Sequence, residues 1–183
     1  VNSIRTRAPR VVDWPVREDI DVLAMQEIKC KPEQFPVEMF EQAGYQLEVH
    51  GLNQWNGVAF ASRHDMTDVA TSFDRMPGFG KPIKGQEAVQ GTGPNNLPLE
   101  ARALGVTIGD LRLWNLYVPN GRGLDDPHFT YKLDWLDALR MSTEHWLEED
   151  PNLPLALMGD WNIAPLPADM GDPSFTEGKS THV

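Results

Sequence analysis

Residues 100–108 and 111–118 each alternate apolar and polar side chains, and only Gly109-Asp110 lies between them. So short a connection forces an antiparallel pair, because a parallel pair needs a crossover of a dozen or more residues. That hairpin excludes strict βαβ alternation and an all-parallel doubly wound sheet. Around it, helical character runs over about 10–19, with a kink expected at Pro15, and a buried strand follows over 20–26. A helix over 36–43 opens at Pro36 and stops at Gly44. Strands are read at 45–50, 57–62 and, more weakly, 68–73. Pro77 to Pro98 is so rich in glycine and proline that it predicts a long surface loop. Phe129, Leu133, Leu136, Leu139, Thr143 and Trp146 recur at helical spacing, which predicts a helix over 126–148 with that apolar face. A buried strand over 154–159 then delivers Asp160-Trp161-Asn162 at its tip. The order predicts one α/β domain over 1–183, an α+β sandwich of mixed, largely antiparallel sheets.

Sixteen Lys and Arg against 27 Asp and Glu give a net charge of −11, which excludes wholesale electrostatic adhesion to nucleic acid or anionic lipid. A phosphate-bearing partner must meet a local basic patch, and Arg5, Arg7 and Arg10 supply one. The same arginines are followed by Asp13 and Glu18 rather than an apolar stretch, so they do not begin a secretory signal. The longest apolar runs, such as Val22 to Met25, are far below the roughly 18 residues a membrane span needs. A single cysteine, Cys30, allows no internal disulfide and fits a reducing, cytoplasmic setting. Gly178-Lys179-Ser180 is not a phosphate-binding loop, because the first glycine of that motif falls on Pro173. The histidines show no zinc-site spacing and there is no Gly-x-Ser-x-Gly elbow.

What remains is an oxygen-rich set at strand ends: Glu27 after strand 20–26, Tyr117 near the end of 111–118, and Asp160 and Asn162 after 154–159. Hard cations such as Mg²⁺ take carboxylate and carbonyl oxygens and keep several waters, so one or two carboxylates and a substrate phosphate are enough. Asp160 and Asn162, two apart on an extended tip, are expected to point the same way. The plainer reading of these residues also stands on spacing alone: turn formers after a strand, a solvated carboxylate and a rim tyrosine.

Four segments bear on the choice: Gln26-Glu27-Ile28-Lys29-Cys30, Asn56-Gly57-Val58-Ala59-Phe60-Ala61-Ser62-Arg63, Leu116-Tyr117-Val118-Pro119-Asn120-Gly121 and Gly159-Asp160-Trp161-Asn162-Ile163-Ala164-Pro165. In order and approximate spacing they resemble the exodeoxyribonuclease III family of apurinic/apyrimidinic endonucleases, within the endonuclease/exonuclease/phosphatase superfamily. The resemblance runs from Asn2 to about Lys179. It implies a four-layered α/β sandwich and a Mg²⁺-dependent phosphodiesterase, with Mn²⁺ as an alternative metal. The implied substrate is double-stranded DNA with abasic sites or 3′ ends, cut by a monomeric enzyme of base excision repair that acts at no membrane. By the same resemblance Glu27 binds the metal and Asp160 activates water. Asn162 sits on metal or phosphate, Tyr117 contacts the scissile phosphate, and Arg5, Arg102 and Asn120 touch DNA. Trp55 falls in a loop that in relatives lies against the DNA backbone.

The resemblance also implies partners that residues 1–183 do not supply: an asparagine before Val1, and an aspartate and a histidine after Val183. The chain therefore reads as incomplete at both ends, and alone it is expected to fold poorly and cleave little. His182 is not assigned the missing role, and Ile28 stands where relatives carry threonine. Two rival readings are a superfamily phosphodiesterase acting on a sugar phosphate or phospholipid, and a catalytically silent DNA-binding fragment.

Overall fold

A computed structural model describes residues 1–169; Gly178-Lys179-Ser180 and His182 lie outside the described residues. In chain order the elements are helix α1 (Ile4–Arg17), strand β1 (Val22–Gln26), α2 (Val37–Gln42), β2 (Gln46–His50), β3 (Val58–Ser62), β4 (Thr67–Ala70), the short α3 (Glu87–Gln90), β5 (Ala103–Ile108), β6 (Leu111–Tyr117), α4 (Pro127–Glu149) and β7 (Leu155–Asp160). Single 3-10 turns lie at Pro32–Gln34 and Pro167–Asp169. The strands form a three-stranded sheet, β1-β3-β2, and a four-stranded sheet, β4-β5-β6-β7. All pairings are antiparallel except β6 with β7, which α4 connects as a crossover.

Period-two alternation sorts the side chains into layers. Val58 and Phe60 of β3 meet Leu104, Val106 and Leu113 of the other sheet, filling the gap between the two. Ala59 and Ala61 face the opposite way, against Ile4 of α1 and Phe40 of α2. Trp114 and Leu116 of β6 turn outward onto Trp135, Ala138 and Leu139 of α4. The order of layers is helix, sheet, sheet, helix, the sandwich the sequence predicts.

One polar residue interrupts the apolar gap. Asn115 shares its β6 face with Leu113 and is fully buried. Its Nδ2 donates to the carbonyls of Met25 (3.0 Å) and Ala59 (2.9 Å), and its Oδ1 accepts from Gln26 Nε2 (2.7 Å). Each bond crosses from one sheet to the other. Together they fix β1 against β6 at the end of the sandwich where Gln26 gives way to Glu27 and β6 runs on to Tyr117.

Three elements differ from the sequence reading. Helix α1 begins at Ile4, six residues earlier than the periodicity suggests, and runs through both Pro9 and Pro15. Its arginines disguise a regular inward stripe of Ile4, Ala8 and Pro15. On α4 the buried face is Tyr131, Lys132, Trp135, Ala138, Leu139 and Ser142, while Leu133 is left 44% exposed. The indole of Trp135 and the polar ends of Lys132 and Ser142 decide that face, which a count of apolar residues alone misplaces. Strand β4 covers Thr67–Ala70, shorter than the 68–73 expected, while the expected Pro77–Pro98 loop carries the single turn of α3 and a bridge between Thr92 and Pro98.

Candidate active site

Strands β1, β6 and β7 bring Glu27, Tyr117 and Asp160 to one edge of the gap between the sheets. Tyr117 and Asp160 are register partners across the parallel pair, and both continue the inward-facing alternation of their strands. Burial raises the Tyr117 hydroxyl above its usual range, the Glu27 carboxylate raises it further, Arg102 opposes, and Asp160 adds to the rise. Two carboxylates and a phenol thus share one electrostatic neighbourhood. β7 can approach this edge because residue 159 is glycine. Its φ is +141°, and a Cβ there would lie 1.9 Å from the Leu116 carbonyl oxygen.

Asp160 and Asn162 do meet, but not by the strand alternation expected from sequence. Asn162 has left β7 with φ of 50°, and Asp160 Oδ1 accepts the Asn162 backbone N–H at 3.0 Å. This turn, rather than a pleat, sets their spacing. Asn162 Nδ2 donates to the Val118 carbonyl (2.8 Å), and its Oδ1 accepts from Asn120 Nδ2 (3.2 Å). The loop is held from below by Lys132 of α4, whose Nζ donates to the Asn162 carbonyl at 2.9 Å. Sequence reasoning missed Lys132; a lysine flanking Tyr131 on the face that carries Trp135 was the available signal.

Glu27 and Lys29 both adopt left-handed backbone, at φ of 52° and 53°, with Lys29 Nζ 2.9 Å from Glu27 Oε2 and donating to Asn2 Oδ1 at 2.6 Å. Strain of this kind costs of order 1 kcal/mol per residue and persists where surrounding contacts enforce it. Here the Ser3 N–H donates to the Glu27 carbonyl and the Ile28 and Lys29 N–H groups donate to the carbonyls of Gly57 and Asn56.

Arg102 lies beneath Tyr117 and is 7% exposed. Its Nε donates to Glu100 Oε2 (2.6 Å), its Nη1 to the Tyr117 carbonyl (3.3 Å), and its guanidinium sits 4.9 Å from the Tyr117 ring centroid. It packs the tyrosine from behind. Arg5 stands exposed in the first turn of α1, apart from this hydrogen-bonded cluster. Beside Tyr117 and Asn120 opens a cavity of about 380 Å³, with Trp55, Phe79 and His128 in its lining.

Among the described residues no group of three or more His, Cys, Asp or Glu is placed to hold a metal. Glu27 and Asp160 are nonetheless hard oxygen donors at one edge, and a cation that retains waters requires no more than one or two carboxylates. The donor chemistry fits a hard divalent cation.

A sequence model described as the Endonuclease/Exonuclease/phosphatase family matches residues 1–180. The chain belongs to the endonuclease/exonuclease/phosphatase family. Within that family it is 27% identical over 172 residues to Exodeoxyribonuclease III of Haemophilus influenzae, covering 93% of this chain and 58% of that protein. A solved 3′-5′ exonuclease from Neisseria meningitidis superposes with a TM-score of 0.77 at 29% identity, over 98% of this chain and 62% of that one. An AP endonuclease from Archaeoglobus fulgidus gives 0.74 at 30% identity, over 99% and 62%. A 3′ phosphatase from Neisseria, solved with product DNA hairpin, gives 0.75 at 30% identity, over 95% and 60%. The chain thus spans about three fifths of the length of these relatives. The mixed α/β architecture with two sheets agrees with the endonuclease/exonuclease/phosphatase fold.

Proposed function

We propose that this protein hydrolyses phosphodiester bonds in double-stranded DNA, removing nucleotides 3′ to 5′ and incising beside abasic sites in base excision repair. The observation that carries the reading is the convergence of Glu27, Tyr117 and Asp160 on one edge of the sandwich, joined there by Asn162 and Asn120. The names of the relatives support a nuclease, and the exposed Arg5 with Lys81 and Arg122 beside the cavity supports a polyanionic substrate.

Asp160 has one carboxylate oxygen committed to the Asn162 N–H. The other takes a proton from the attacking water as it approaches phosphorus. The Tyr117 hydroxyl, kept protonated by burial and by two carboxylates, donates to a phosphate oxygen as charge builds on it. Asn162 and Asn120 hold the turn at which the phosphate rests. Glu27, with Asp160, would hold Mg²⁺ or Mn²⁺, which when bound supplies Lewis-acid stabilisation of the phosphate. Arg102 acts through Tyr117 as a positioning residue. The reading carries with it a single-domain, monomeric, cytoplasmic enzyme, to which the lone buried thiol of Cys30 is suited.

The test compares Asp160→Asn with the parent full-length protein on a labelled abasic-site duplex in Mg²⁺. Turnover is expected to fall by about 10²-fold to 10⁴-fold with duplex affinity retained, the range for losing general-base help. A loss under about threefold removes Asp160 from that role. Parent protein that cleaves a sugar phosphate or phospholipid and leaves the duplex intact overturns the substrate assignment.

A further inference from the structure

His128 lines the cavity and is paired with Asp126 at the head of α4, a pair the chemistry above does not use. Asp126 is the N-cap of α4, and its Oδ1 accepts the His128 backbone N–H at 2.9 Å. The same oxygen lies 2.8 Å from His128 Nδ1, and Oδ2 lies 3.9 Å from Arg122 Nη1. The hydrogen bonds from the His128 backbone and ring, in that order of weight, hold the Asp126 carboxyl below its usual range. An ionised Asp126 accepts, so Nδ1 carries the proton and Nε2 is the atom the ring has to offer. Phe79 fixes the ring from its other side at 4.4 Å between centroids, and Phe79 in turn stacks on Tyr131 at 4.6 Å. Among the described residues no partner takes up Nε2.

Apart from Asp126, the charged residues that share the cavity with His128 are mostly cationic. Lys81, Arg102 and Arg122 line the same cavity, and Glu100 is its one acidic wall residue. Glu100 is consumed by Arg102 at 2.6 Å and Asn56 at 2.9 Å. A cavity of about 380 Å³ that adds Lys81 and Arg122 to an Arg102–Glu100 pair, with the Asp126 carboxylate turned to His128, suits a phosphate.

We propose that His128, held by Asp126, forms with Lys81 a second phosphate subsite, which takes a phosphodiester of the bound nucleic acid other than the one being cut. As the phosphate enters, the ring takes a proton from solvent at Nε2, and this Nε2–H donates to a phosphate oxygen while Nδ1–H remains on Asp126; Lys81 adds an ammonium from the Pro77–Pro98 loop. Asp126 and Phe79 contact the imidazole directly, Arg122 pairs with Asp126, Tyr131 stacks on Phe79, and Lys81 shares the cavity lining. The subsite rests on the nuclease reading and names a specificity element for it, because only a substrate long enough to bridge both positions gains the contact.

The experiment measures equilibrium binding of a fluorescent abasic duplex by anisotropy without turnover, alongside KM and kcat, for the parent, His128→Gln, Asp126→Ser and Lys81→Ala, with His64→Gln as the remote control. Asp126→Ser retains a capping oxygen for α4 and removes the charge that orients the ring. His128→Gln is expected to weaken duplex affinity and raise KM by about fivefold to tenfold, the loss of one charge-assisted bond, with kcat within about twofold. Asp126→Ser should reproduce most of that change, Lys81→Ala part of it, and His64→Gln none. A deoxynucleoside monophosphate is the second probe: if His128→Gln weakens its inhibition and leaves duplex KM unchanged, the subsite holds a free product phosphate and the assignment to a flanking diester is overturned. Unchanged binding of both probes overturns the subsite outright. Parent protein that neither binds nor cleaves the duplex fails the nuclease reading. The phosphate subsite is then judged on the monophosphate alone, by whether the His128 imidazole signals move in NMR on its addition.

Discussion

Asn115 shows how much one residue decides. Replacing it with leucine removes the three hydrogen bonds that cross the gap, two to the carbonyls of Met25 and Ala59 and one from the amide of Gln26. Each lost bond costs about 1–3 kcal/mol, partly offset by the added apolar surface, so Asn115→Leu should lower unfolding free energy by about 3 kcal/mol. Urea unfolding followed by tryptophan fluorescence measures it, and a change below about 0.5 kcal/mol would show that the bridge contributes nothing. The same substitution loosens the spacing of Glu27 from Tyr117, so the surviving folded fraction should also turn over more slowly. Residues of this kind are not legible in sequence. Asn115 sits in an alternating strand where a polar residue on the inner face reads as a flaw in the pattern, and Arg102 reads as a surface cation although Glu100 and Tyr117 bury it.

Strand β2 carries a titration that belongs to the element as a whole. Burial lowers the His50 imidazole from 6.5 to about 4. The folded state therefore holds the neutral ring while the unfolded chain binds a proton more readily. Its contribution is complete above about pH 6.5 and is lost as the pH falls toward 4, a change of up to about 3 kcal/mol. The urea midpoint of the parent should fall over that window more steeply than that of His50→Gln, and equal slopes would exclude burial of a neutral ring. The elements themselves were readable to different degrees for physical reasons. The β5–β6 hairpin was legible because Gly109-Asp110 leaves no other geometry, and Ile108 and Leu111 do pair directly. The start of α1 was hidden by two prolines and its arginines. The face of α4 was hidden because Leu133 is as apolar as the residues that are buried. Glu27, Tyr117 and Asp160 were visible as strand ends, but their meeting depends on sheet stacking that no local pattern encodes.

For the whole molecule, a net charge of −11 means that the DNA of the proposed function would be met against a repulsive background. Attraction would fall to a few cations, Arg5 on α1 and Lys81 and Arg122 at the cavity among them. Neutralising about three phosphates predicts a slope of about −3 in log K against log salt. Anisotropy of a labelled duplex from low to moderate NaCl tests this; a slope near zero would place binding elsewhere, and one steeper than about −6 would require a broad basic face. Asn115 has one further consequence, for the order of assembly. Its bonds join residues 90 and 56 positions apart, and Tyr117 pairs with Asp160 only after α4 has carried the chain back to β7. The β5–β6 hairpin closes locally, whereas these contacts pay their loop-closure entropy before returning any gain. The edge that carries Glu27, Tyr117 and Asp160 is therefore expected to form last. Asn115→Leu should speed unfolding and leave the folding rate nearly unchanged. A chain still on its way to the native state has not yet brought Glu27, Tyr117 and Asp160 together, so under the proposed function the ability to cut is expected to arrive with the completed fold.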